Sequence, residues 1–151
     1  MEILNLFFED FAIGQTFVTG ERELGNNDIS KFAELTGDFN KLHFDRDFST
    51  SIGFKDVIVH GMLTLSIMLG LWYSLELTNG TILAFAGLNG VSFKIPVYVG
   101  DKLHLAADVS SKRELRSREN AGLVNIKLKG INQKDEAVLE AEIALIIKRK
   151  S

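Results

Sequence analysis

Two rhythms of apolar and polar residues divide the chain near Asn79-Gly80, a pair that favours a turn. Ahead of it the spacing is helical. Asn26-Asn27-Asp28 offers side-chain oxygens for a helix N-cap, Ile29, Phe32 and Ala33 follow on one face, and Gly37 stands where a C-cap belongs. This predicts a short helix from Asp28 to Thr36. Asp45 can cap another that runs through Ser51 and that Gly53 would end. The stretch from Phe11 to Leu24, with Gly14 and Gly20 as turn points, reads as a lead-in and first strand. From Gly61 to Leu75 the chain is apolar on every side and uncharged, the pattern of a helix buried on most faces. Gly70 in its middle costs up to about 1 kcal/mol against alanine, which predicts close packing at that point.

Beyond the turn the period becomes two. Leu83, Phe85, Val91, Phe93 and Ile95 share one parity, with Asn89 as the polar exception. Leu103, Leu105, Ala107 and Val109 oppose His104, Asp108 and Ser110. Val124, Ile126 and Leu128 alternate with Asn125, Lys127 and Lys129, and Ala137 through Ile147 repeats the pattern around Glu140 and Glu142. Such alternation predicts an antiparallel sheet with one wet face. With the first strand added, a five-stranded sheet wrapped on one buried helix is the economical assembly, an α+β fold.

Composition narrows the function. The 151 residues are 46% hydrophobic and 25% charged, ordinary for one folded domain spanning 1–151. The net charge of -3 is spread among mixed signs, so no basic footprint invites nucleic acid. Lys148-Arg149-Lys150 reads as a solvated tail. Without cysteine, disulfides, thiolate catalysis and cysteine metal sites are excluded. Met1–Asn5 lacks the basic-then-apolar order of a secretory signal, and the apolar run after Gly61 is short of the ~18 residues that span a membrane. The expectation is a cytoplasmic protein with no membrane partner.

The chemistry concentrates in Gly37-Asp38-Phe39-Asn40-Lys41-Leu42-His43. In a helix, Asp38 and His43 would diverge by about 140° around the axis. In a flat strand they would face opposite ways. Only a bent loop brings them to one point, where a carboxylate and an imidazole could share acid and base duties on a water. The same residues also suit an ordinary solvated turn. Farther on, Val59-His60-Gly61-Met62 opens the apolar helix, where backbone N–H groups lack partners and the helix dipole favours negative charge. Gly61, with no side chain to screen its N–H, could hold an oxyanion, or it could simply permit a tight helix start. His60 reads as a residue hydrogen-bonded at that start, with substrate contact as its other possible role. His104 reads as solvent-facing. The three histidines lack metal-ligand spacing, so no metal is expected. Of the 11 phenylalanines, Phe39, Phe44, Phe48 and Phe54 cluster near the loop and could line an apolar pocket.

The run from Phe32 to His43, the Val59-His60-Gly61-Met62 element and the stretch from Val91 through Pro96 to Gly100-Asp101 resemble the MaoC-like (R)-specific enoyl-CoA hydratase and 3-hydroxyacyl thioester dehydratase family. The resemblance implies the hot-dog fold, a curved antiparallel sheet around a long central helix. It implies reversible hydration of trans-2-enoyl-CoA or enoyl-acyl carrier protein to a (3R)-3-hydroxyacyl thioester. Asp38 and His43 match the catalytic pair, Asn40 the asparagine that orders the loop, and Gly61 the oxyanion donor. No cofactor is implied, and the partners are the acyl thioester and a second copy of the chain in a homodimer. Lys41 stands where the family usually has proline, and Leu69 where many hydratases have serine, with Ser66 one turn earlier. Two other functions suit the same scaffold, an acyl-CoA thioesterase and a non-catalytic acyl-CoA-binding subunit.

Overall fold

The computed structural model describes residues 5–151. Met1–Leu4, on which most of the reading of the N-terminus rests, lie outside the described residues. In chain order the elements are β1 (Thr16–Val18), β2 (Arg22–Glu23), α1 (Asn26–Thr36), α2 (Arg46–Ser51), α3 (Gly61–Ser74), β3 (Ile82–Phe93), β4 (Lys102–Glu114), β5 (Ala121–Ile131) and β6 (Ala137–Lys148). All strand pairs are antiparallel, in the order β1-β4-β5-β6-β3, with β2 also on β4. This is the α+β arrangement of a sheet closing over a helix.

The sheet has six strands rather than the five expected. The extra one arises from an interruption. Phe17 lies opposite Ala107 and Arg22 opposite Leu103, so β1 and β2 follow one another along the same edge of β4. Between them the Thr19 N–H donates to the Leu105 carbonyl at 3.0 Å, and the Thr19 hydroxyl accepts the Leu105 N–H at 2.9 Å. A side chain thus replaces one rung of the ladder.

The alternating residues of β4, β5 and β6 form the core as predicted, with Leu103, Leu105, Val124, Ile126, Ile143 and Leu145 buried. Against them α3 packs Leu63, Leu65, Met68, Leu71 and Trp72. Each fully buried side chain of this size contributes about 1.5–3 kcal/mol. The close approach falls at Gly130, where a Cβ would sit 2.7 Å from Met68 Sδ. It does not fall at Gly70, which is exposed with nothing near it. Nor is α3 covered all round. Met62, Ser66, Gly70 and Ser74, one turn apart from each other, form an exposed stripe.

Three register shifts in β3 break its expected parity, so that Phe85 and Phe93 are exposed instead of joining the core. The C-terminal tail also differs from expectation. Arg149 pairs with Glu9 at 3.3 Å and Glu114 at 3.0 Å, and Lys150 pairs with Asp10 at 2.8 Å, which fastens the tail to the first turn of the chain.

The helices begin and end near the predicted places. Gly37 closes α1 in the left-handed region at φ 82°, its N–H on the Ala33 carbonyl at 2.7 Å. At the other end Gly25, not an asparagine, is the N-cap, and Asp28 reaches back to accept its N–H at 2.8 Å while pairing with Arg22 at 2.8 Å. Burial alone would raise the Asp28 pKa, but the hydrogen bonds from Arg22 and Gly25 outweigh it and hold the carboxyl below its ordinary value. A folded-state value below the unfolded one means stability present above the ordinary carboxylate range and lost as pH falls through the lower, folded value. Asp28→Asn is therefore expected to lower the thermal midpoint at neutral pH and to leave a smaller further drop in acid. Melting curves from pH 7 to 3 check this, and parallel curves for variant and wild type would contradict it. No helix among the described residues is long and apolar enough to cross a membrane.

Candidate active site

The loop after α1 bends as its chemistry requires. Asn40 accepts the Leu42 N–H on its side-chain oxygen at 3.0 Å and caps a single 3-10 turn over Lys41–His43. The Asp38 carboxyl accepts the Asn40 N–H at 3.2 Å. With Asn40 as cap, the loop is ordered locally although Lys41 replaces the stiffer proline. Two hydrogen bonds then clamp the turn to the segment before α3. The Ile58 N–H donates to the Leu42 carbonyl at 3.0 Å, and the Ile58 carbonyl accepts from His43 Nδ1 at 2.7 Å. Ile58 and Val59 are themselves held by the chain beyond Pro96, through a bridge to Tyr98 and a 2.7 Å bond to the Val97 carbonyl.

These contacts decide the tautomer of His43. A carbonyl only accepts, so Nδ1 carries the proton and Nε2 keeps its lone pair. Burial lowers the proton affinity of the ring most strongly. The Ile58 hydrogen bond opposes this, His60 adds to the lowering and Asp38 opposes it, and the net shift is downward. The imidazole is therefore a neutral base near pH 7.

The second histidine lies against the first. His60 is buried, its ring stacked on His43 with centroids 3.8 Å apart and planes at 26°. Its Nε2 donates to the Asp38 carbonyl at 3.0 Å. Side-chain ligand atoms of Asp38, His43 and His60 all fall within 4.8 Å of one another. The spacing in sequence gave no hint that two of the three histidines would meet. A metal would still be poorly served, because the lone pairs of the two imidazoles lie in planes only 26° apart and stacked at 3.8 Å, whereas zinc needs nitrogens converging at about 2.0–2.1 Å. One nitrogen of each ring is also already committed to a carbonyl.

Beside the triad lies a cavity of about 370 Å³, lined mainly by apolar groups including Leu42, Phe54, Ile95, Val97 and Leu139. His43 and Gly61 are both in its wall; Asp38, Asn40 and His60 are not. Gly61 opens α3, and its N–H meets no acceptor among the described residues. A Cβ at Gly61 would lie 2.8 Å from the Phe93 ring, so any larger residue there would have to displace the ring. Of the four phenylalanines expected near a pocket, only Phe54 lines it; Phe39, Phe44 and Phe48 are exposed. Phe93, Thr64 and Ile58 line it unforeseen. His104 is half-buried on the outer face of β4 and takes no part. Other depressions over the outer sheet face and beside Arg46 and Tyr98 contain none of these groups.

The sequence pattern of the MaoC-like domain matches residues 9–130, which hold Asp38, Asn40, His43, His60 and Gly61. The chain belongs to the MaoC-like dehydratase family. This MaoC-like chain is 32% identical over 143 residues to the Bacillus subtilis protein YdeM, of uncharacterised function, covering 93% of the chain and 98% of that protein. It is 36% identical over 106 residues to the (R)-specific enoyl-CoA hydratase of Aeromonas caviae, covering 70% of the chain and 76% of the enzyme. Among solved structures, a monoamine oxidase regulatory protein from Archaeoglobus fulgidus superposes with a TM-score of 0.91 at 35% identity, covering 97% of each chain. The MaoC-like sheet and helix are those of the hot-dog fold, as the sequence resemblance implied.

Proposed function

We propose that this MaoC-like protein hydrates trans-2-enoyl thioesters reversibly to (3R)-3-hydroxyacyl thioesters. The observation that carries the reading is one apolar cavity whose wall holds both a neutral imidazole with a bare Nε2 and an unpartnered helix N–H. The acyl chain lies in the cavity with its thioester oxygen on the Gly61 N–H. A water sits between His43 Nε2 and the Asp38 carboxyl, which accepts one of its hydrogens. As the water oxygen bonds to C3, His43 takes the other proton and negative charge moves onto the thioester oxygen, where the N–H and helix dipole stabilise it. His43 then returns the proton to C2, and the remaining water hydrogen stays on the new hydroxyl. The likeness to the Aeromonas caviae enzyme supports the (R) outcome.

A second copy of the chain is the proposed cover for the open edge of β3 and the neighbouring exposed stripe of α3, where Met62 is 57% and Phe93 54% exposed. Analytical ultracentrifugation is expected to give a homodimer, and a monomer at micromolar concentration would contradict it.

The decisive experiment follows the enoyl-thioester absorbance of crotonyl-CoA, with chiral analysis of the product and a free-thiol assay on saturated acyl-CoA. Hydration to the (3R) alcohol without thiol release is expected. Thiol release without hydration, or binding without turnover, would overturn the reading in favour of a thioesterase or a binding subunit. Because His43 must be neutral to accept the proton and its affinity is lowered, kcat/KM should hold level at neutral pH and fall only below the ordinary imidazole range.

A further inference from the structure

We propose that His60 is a positioning residue for this reaction, holding the His43 ring by its flat face and the Asp38 backbone by a hydrogen bond so that both groups meet one water. The proposal rests on the hydration reading above. His60 is 1% exposed and absent from the cavity wall, so it acts through its neighbours. One face lies on His43 at 3.8 Å, Phe32 packs on it at 4.9 Å, and Phe44 approaches edge-on at 6.3 Å. The ring therefore has a single seat.

Its hydrogen bonds reach the remaining parts of the site. The Asp38 carbonyl can only accept, so His60 Nε2 carries a proton, while the buried Nδ1 has no partner among the described residues. The His60 carbonyl accepts the Thr64 N–H at 3.0 Å and hydroxyl at 3.2 Å, which starts α3 at Gly61. One residue thus aligns the loop carboxyl, the imidazole base and the helix N–H. Phenylalanine could supply the flat face but not the donor, and glutamine the donor but not the face. The titratable groups that act on His43 are His60 from the start of α3 and Asp38 from the loop; Lys41, from its own turn, is seated over Phe48, and Lys94, in the wall of the same cavity, is paired with Glu140 at 3.4 Å.

Nitrogen-15 imidazole spectra of the wild-type protein test the arrangement without turnover. His60 is expected as the Nε2–H tautomer and His43 as the Nδ1–H tautomer, with the third histidine identified by His104→Gln. The reverse tautomer at either ring overturns the proposal. In kinetics, His60→Gln and His60→Phe are each expected to lower kcat at least about tenfold through misplacement, with KM held within about threefold because His60 does not touch substrate. In His60→Gln the acid limb of kcat/KM should also move to higher pH, since water reaches His43 and the stacked ring is gone. Unchanged kcat and acid limb in both variants, with only a lower melting temperature, would reduce His60 to a structural residue. If neither variant folds, the wild-type tautomers decide. Absence of hydration in the wild type sinks the reaction itself, a result distinct from wrong tautomers.

Discussion

His43→Gln is expected to lower the hydration rate of crotonyl-CoA at least about a hundredfold, the lower end of what a positioned acid–base group supplies. The substitution separates chemistry from architecture. Glutamine keeps the length and polarity of the side chain, and the Ile58 N–H bond to the Leu42 carbonyl at 3.0 Å does not involve it, so the loop stays tied to the α3 approach. What disappears is the basic Nε2. The loss should fall on kcat and kcat/KM together, since the interaction is made only as the proton moves. Asp38→Asn should match it in scale, because an asparagine oxygen can still accept the Asn40 N–H while the carboxyl proposed to hold the water is gone. Stopped-flow loss of the enoyl band measures both, with the melting temperature as the control for folding. A rate within a few-fold of wild type in either variant, with the fold intact, would remove that residue from the mechanism.

How much of this was legible in the sequence depends on which contacts are local. The capped helix at Gly37, the Asp45 cap and the buried alternation of β4 to β6 follow from neighbours a few residues apart, and they were readable. So was the need for a bent loop around Asp38 and His43. The His43–His60 stack was not, because it depends on Ile58 being pinned from both sides, by Leu42 and by the chain beyond Pro96. The exposed stripe of α3 was hidden for another reason. Met62 and Gly70 look like core residues by composition, and only the breadth of the sheet decides which side of the helix it can cover. Phe93 was misread because bulges in β3 shift parity; the signal was there in Gly87 and Gly90, the latter at φ 58°, which lie at two of the shifts and which the count of alternating residues passed over.

Gly61→Ala is the second substitution with a large expected effect, and it tests the other wall of the cavity. The backbone at Gly61 is not in the left-handed region, and alanine is the better helix former, so no conformational penalty attaches to the change. The new methyl would instead lie 2.8 Å from Phe93 Cε1 and 3.1 Å from Cδ1. Phe93 is more than half exposed, and its ring can swing aside at a cost of about 1 kcal/mol or less, the scale of a modest rotamer strain. The melting temperature should therefore move little. Activity should not survive as well, because the methyl and the displaced ring crowd the space in front of the Gly61 N–H, the donor proposed for the thioester oxygen. Loss of one oxyanion donor gives about 10²–10³ in kcat, and a fall of that order is expected. Adding Phe93→Ala makes room for the methyl and should restore about tenfold of it, with the rest withheld because the methyl still borders the N–H. If Gly61→Ala turns over crotonyl-CoA at the wild-type rate, the thioester oxygen is held somewhere other than the start of α3.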